Sequence, residues 1–253
     1  MTGRRRARTS PVDGIWRVHK SPGETSFSRF RATIASLEAE VGCRLRACHG
    51  GPLDPFAHGL LLVLVGDWVH AFDAIHTLPK TYVADLRWGV ETDNGDPTGQ
   101  VVATADAPRG DRDAALASFL GWQEQVPPAT SAKKVEGEPA YRKAHRGELV
   151  SLAPSRVYLH SARWLIHHDA FSRLELVCRG GYYVRSLARD LGRLLDSRAH
   201  LSALSRPRIG PFVDVAGAPA RGGEPSWTPP PGFPSVAELS PTPTGRPYGQ
   251  AGR

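Results

Sequence analysis

The apolar positions change period several times along the chain, and each change predicts an element. Gly14-Ile15-Trp16-Arg17-Val18 alternates, as a half-buried strand does. Lys20-Ser21-Pro22-Gly23-Glu24-Thr25-Ser26 is turn chemistry ending in hydroxyl residues suited to a helix N-cap. Phe27, Phe30, Ile34, Leu37 and Val41 then recur at spacings of three and four, one face of an amphipathic helix stopped by Gly42. A Gly/Pro-rich loop over 49–59 leads into an apolar run over 60–65. Residues 81–88 read as a strand with Tyr82, Ala84, Leu86 and Trp88 on one face. A polar turn over 91–99 follows, then a short helix that Asp111 can cap, carrying Leu116, Phe119 and Leu120. Strands are predicted near 156–165 and 171–178. Val184, Leu187, Leu191 and Leu194 define a further helix, with Arg185, Arg189 and Arg193 on a different face, where Arg189 and Arg193 read as solvated arginines.

Strands interleaved with separate helices predict one α+β domain over 13–216. Within it, 125–149 is a long, Pro-bearing basic segment with Lys133, Lys134, Arg142, Lys143 and Arg146. Residues 1–12 read as a disordered basic arm. From 217 to 253 Pro and Gly dominate, as in Pro229-Pro230-Pro231-Gly232, and predict a flexible tail.

Charge narrows the partner. The 253 residues carry a formal net charge of +7 and a pI near 9.7. That excess suits a polyanion, because phosphate contacts release counterions from nucleic acid. The three cysteines, Cys43, Cys48 and Cys178, make no disulfide framework and fit a reducing cytoplasm. Cys43, Cys48 and His49 lack a second ligand pair at zinc spacing and read as packing residues. Asp93 and Asp96 flank an Asn94-Gly95 turn without further carboxylates. There is no Rossmann fingerprint or P-loop, and the apolar runs fall short of a membrane span. The expectation is a cytoplasmic monomer without metal, cofactor or membrane contact.

Asp54 stands in the stiff loop beside the apolar run. A carboxylate before Pro55 is by itself a turn former. The same placement is also what a catalytic carboxylate requires, and here the wider pattern enters. Lys20-x-x-Gly23-x-Thr25-Ser26, His49-x-Gly51-x-Leu53-Asp54-Pro55-x-Ala57-x-Gly59-x-Leu61 and Lys80-Thr81-Tyr82 occur in that order. Gly89-x-x-Thr92-Asp93-x-x-Asp96-x-x-Gly99 and Pro127-Pro128-x-x-Ser131-Ala132-Lys133, with Gly137 and Tyr141, follow. Gly180-Gly181-Tyr182-Tyr183-Val184-Arg185 and Leu204-x-Arg206-x-Arg208-x-Gly210-Pro211-Phe212 complete the series. The series resembles the TruB family of tRNA pseudouridine synthases.

The resemblance implies a pseudouridine synthase fold, with a mixed, largely antiparallel central sheet flanked by helices and loops. It implies isomerisation of the T-loop uridine at tRNA position 55, by base flipping and an essential aspartate, Asp54. It gives Arg185 the role of counter-ion to that aspartate and Tyr82 that of stacking on the flipped uracil. Tyr183 is expected near the base, Leu204 beneath it, and His49 in the gap the nucleotide leaves. Asp96 is expected to accept hydrogen bonds from a neighbouring nucleotide. The basic segment, through Lys133, Lys134, Arg142, Lys143 and Arg146, is expected to close over the T-arm and contact phosphates. Ser21, Gly50, His58 and His145 depart from the commonest family residues, and no C-terminal PUA-type domain is expected in the short tail. The alternatives are a T-arm RNA-folding chaperone, or the same chemistry on another RNA.

Overall fold

The computed structural model describes residues 10–131, 133–135, 137–215 and 217–223, with only the backbone of His145. Most of the expected basic arm, and the tail beyond 223, lie outside the described residues. In chain order the elements are β1 (Gly14–Lys20), α1 (Ser26–Val41), β2 (Ala47–His49), β3 (His58–Val65), α2 (Phe72–Thr77), β4 (Lys80–Trp88), β5 (Val90–Thr92), β6 (Val101–Thr104), α3 (Arg112–Ala117), β7 (Gly121–Gln125), β8 (Lys134–Val135), β9 (Glu138–Pro139), α4 (Ala140–His145), β10 (Ser155–His167), β11 (Phe171–Cys178), α5 (Val184–Leu194), β12 (Ala199–Ile209), β13 (Phe212–Val213) and β14 (Ala220–Arg221). Where one continuous domain was expected, the chain divides into two compact units. One is Met1–Leu78 with Pro207–Arg253, the other Pro79–Arg206.

In the first unit β3 pairs antiparallel with β1, Val18 opposite Leu61, and with β2, His49 opposite Val63. The apolar run of β3 is continuous because both faces are buried. Leu60, Leu62 and Leu64 pack with Ile15, Ile75, Leu78, Ile209 and Phe212. Val63 and Val65 pack with Val18 and with Ile34 and Leu37 of α1. Thr25 caps α1, accepting from the Ser28 amide at 3.0 Å. Gly42 ends it in the left-handed region, donating its N–H to Glu38 O at 2.9 Å. Ordered structure extends past the expected boundary at 216, because β14 pairs with β1, Trp16 opposite Arg221. The outer edge of β1 offers unpaired backbone groups, and Arg221 secures the added strand through Pro11 O at 2.6 Å.

In the second unit the strands run β12-β4-β11-β10-β7. β4 pairs antiparallel with β11, Tyr82 opposite Leu176 and Ala84 opposite Leu174. The predicted alternation of β4 holds, with Tyr82, Ala84, Leu86 and Trp88 all buried. Helix α5 buries Val184, Leu187 and Leu191. Three predictions need revision. The turn over 91–99 begins inside β5; α3 ends at Ala117, leaving Phe119 and Leu120 outside it; and 125–149 contains a two-stranded hairpin and α4.

Candidate active site

The loop between β2 and β3 holds Asp54 on a backbone fixed from both sides. Leu53 is buried, and the Ser26 hydroxyl satisfies both of its peptide groups, accepting from its N–H at 2.8 Å and donating to its carbonyl at 2.9 Å. Pro55 O accepts from the Gly23 amide at 2.8 Å and from Lys20 Nζ at 3.1 Å. Lys20 Nζ also donates to Ala57 O at 2.6 Å and Ser21 O at 3.0 Å. Lys20 has no exposed surface, so these carbonyl dipoles replace the water its ammonium has lost. Asp54 O closes the turn by accepting from Ala57 N at 3.1 Å. Gly50 is required by packing, since a Cβ there would lie 2.9 Å from Ile75 Cγ2. Gly51 is required by its φ of 116°. Asp54 itself is half-buried in this loop.

His49 ends β2. Its ring meets that of Phe30 edge-on at 6.0 Å, and its Nδ1 lies 3.4 Å from the Gly51 amide. His58 sits 5.9 Å from the ring of His19, which bonds Asp214 at 2.8 Å.

In the second unit Arg185 occupies the first turn of α5 and is 5 % exposed. Its Nη1 donates to Asn94 O at 2.8 Å and Thr130 Oγ1 at 2.6 Å. The Asn94 carbonyl belongs to a turn organised by Asp96. The Oδ1 of Asp96 accepts from Asn94 Nδ2 at 2.9 Å, Thr98 N at 2.8 Å and Thr98 Oγ1 at 2.6 Å. Through Oδ1, Asp96 thus shapes the turn that supports Arg185. Gly95 has φ +75°, and a Cβ there would stand 3.1 Å from Arg185 Cβ. Tyr183 precedes α5 with its ring half-buried. Its peptide is held by the buried Gln125 side chain, which accepts from Tyr183 N at 2.9 Å and donates to Tyr183 O at 3.1 Å. Tyr82 is 8 % exposed on β4, and Leu204 is 4 % exposed on the neighbouring β12.

The basic side chains of 125–149 are not equally available. Lys133 Nζ donates to Ser155 Oγ. Arg146 forks onto Glu138 at 2.8 Å through both nitrogens and reaches Glu148 at 2.6 Å. That fork holds the Glu138 carboxyl below the usual carboxylate range. Lys134 and Arg142 are exposed, and Lys143 is half-buried. Arg189 is not the solvated arginine expected: it pairs with Asp190 at 2.8 Å and donates to Val126 O at 3.1 Å. Arg193 is exposed, as expected, and also pairs with Glu91 at 2.6 Å.

Burial sets the remaining titrations. It pushes the Cys48 thiol up to about 11 and the Cys178 thiol up to about 12. Burial, aided by Arg206, lowers Lys80 to about 7. Among the described residues no group of three or more His, Cys, Asp or Glu is placed to hold a metal ion.

Lys20, Ser26 and Gln125, which fix the backbone at Leu53–Ala57 and Tyr183, carry no such role in the sequence pattern. Lys20 and Ser26 stand in the first motif, but the loop carbonyls they bind are 27 to 37 residues away. Gln125 gave no signal at all.

The model of the TruB family pseudouridylate synthase N-terminal domain matches residues 39–184. The chain belongs to the TruB family. A TruB relative, the tRNA pseudouridine synthase B of Symbiobacterium thermophilum, is 42% identical over 210 residues, 81% of this chain and 69% of its own. That of Bordetella avium is 38% identical over 211 residues, 81% of this chain and 84% of its own. Among solved structures, a chain of a Cbf5-Nop10-Gar1 complex aligns with TM-score 0.57 at 24% identity. The alignment covers 79% of this chain and half of that one. This last likeness is one of fold, and it agrees with the pseudouridine synthase architecture the motifs implied.

Proposed function

We propose that this TruB family chain isomerises uridine to pseudouridine in the T-loop of tRNA, at position 55. The observation that carries the reading is the Asp54 loop, whose flanking peptides are fixed by Lys20, Gly23 and Ser26. A carboxylate held this way keeps its place without ordering a loop at each turnover. The reaction breaks the bond from ribose C1′ to uracil N1 and forms one from C1′ to C5. The C5 proton leaves and N1 gains one, so no redox partner or energy source is consumed. The base must leave its stack to be reached.

In this reading Asp54 acts on the flipped nucleotide, covalently or as a general base. Tyr82 offers the uracil a stacking face, Leu204 packs beneath it, and Tyr183 sits near the reacting base. Arg185 keeps the carboxylate ionised, and His49 fills the gap in the T-loop. Asp96 contributes through the Arg185 support, with any nucleotide contact left to its second oxygen. Lys134 and Arg142 contact T-arm phosphates, joined by Lys133, Lys143 and Arg146 when RNA displaces their present partners. The working form is a cytoplasmic monomer without metal or cofactor.

The test is to incubate unmodified tRNA transcript with the protein and map pseudouridine at nucleotide resolution. Modification confined to the T-loop uridine is expected. Tight binding that leaves every uridine unchanged would transfer the reading to a T-arm chaperone. Modification only in another RNA would keep the chemistry and replace the substrate.

A further inference from the structure

The far end of the second unit's sheet carries a cluster the catalytic reading does not use. Trp122 of β7 is 50 % exposed. Arg156 of β10 places its guanidinium 4.4 Å from the indole centroid, and Arg179, directly after β11, lies 5.9 Å away. Tyr158 stands in register with Trp122, their rings 5.1 Å apart, and its carbonyl accepts from the Arg179 amide at 3.0 Å. The strand period explains the grouping. Val157 and Leu159 turn inward, so Arg156 and Tyr158 share the outer face with Trp122. Leu159 pairs with Cys178 and Cys178 with Lys80, so this outer face is opposite the one bearing Tyr82. The cluster is therefore separate from the uridine contacts.

We propose that Trp122, Arg156 and Arg179 form a second RNA contact, a cationic π platform that stacks an unpaired base and takes the adjoining phosphate. The choice of RNA over another polyanion rests on the tRNA-modifying reading. Indole and guanidinium planes both stack bases, and the guanidinium groups supply the charge that a phosphate needs. One carboxylate opposes this, since Glu124 stands in register with Arg156 on the same face. Arg179, 5.9 Å from the indole centroid, is a second cation beside it. β7 ends the strand order, and edge protection would account for charge there. It gives no reason to expose an indole beside two guanidinium groups.

The experiment measures Kd by filter binding for wild type, Trp122→Ala, Trp122→Phe and Arg156→Glu. The probes are unmodified tRNA transcript and an unstructured single-stranded RNA. The platform predicts that Trp122→Ala weakens binding about tenfold while Trp122→Phe, which keeps a π face, stays within about threefold. Arg156→Glu should weaken binding and flatten its salt dependence. Trp122→Ala within about twofold of wild type on both probes overturns the platform and leaves T-loop modification standing. If wild type leaves the T-loop uridine unmodified while RNA affinity still depends on Trp122, the platform stands and the tRNA-modifying reading falls. If wild type binds neither RNA, both fall.

Discussion

The loop bearing Asp54 and the basic segment over 125–149 both connect longer strands, yet their polar groups are held in different ways. The loop is fixed through its backbone by buried groups, with Lys20 and Ser26 satisfying the carbonyls of Leu53, Pro55 and Ala57. The segment has its own short hairpin and helix, but its charged side chains are tied at the surface, above all Arg146 to Glu138 and Glu148. Buried hydrogen bonds are little affected by ionic strength, whereas exposed ion pairs are screened and weak. The difference matches two tasks. A reacting carboxylate needs one position, while a segment that closes over RNA must release its acidic partners when phosphates arrive.

Four substitutions probe that contrast, in order of falling effect. Lys20→Met removes the ammonium from three carbonyls and should lower kcat about 100-fold by displacing Asp54. A kcat near wild type would mean the loop holds itself. Ser26→Ala leaves the Leu53 N–H and C=O without their partner and should cost about 1–3 kcal/mol in urea unfolding. Lys80→Met tests burial chemistry in the second unit. Lys80 titrates near 7 when folded and near 10.5 when unfolded. Between those values the unfolded chain binds the extra proton, so stability should rise with pH from about 7 to about 10. The substitution should flatten that rise, and an unchanged slope would contradict the assignment. Arg146→Ala should leave Tm unmoved, weaken tRNA binding slightly and make it less sensitive to salt; a large Tm drop would mean the segment is held as firmly as the loop.

The contrast also explains what could be read in the sequence. Helix α1 and strand β4 were legible because burial repeats at their own periods, and Thr25 and Gly42 marked the helix ends. Strand β12 escaped notice, since Ser202, Ala203, Arg206 and Pro207 interrupt any alternation. Strand β14 escaped too, having two residues and a pairing made by a distant edge. In the site, motif spacing singled out Asp54, Tyr82 and Arg185. The hydrogen bonds that position them were not legible, because Ser26 to Leu53 and Gln125 to Tyr183 close over 27 and 58 residues. Arg189 looked like a solvated arginine for the same reason, since its partner Val126 O lies 63 residues away.

The most direct measurement follows tritium released from C5-labelled uridine in unmodified tRNA, with Asp54→Asn beside wild type and Kd determined for both. The account predicts release by wild type, and an Asp54→Asn variant that binds comparably while releasing at least about 1000-fold more slowly. Tritium release by Asp54→Asn at the wild-type rate would contradict it.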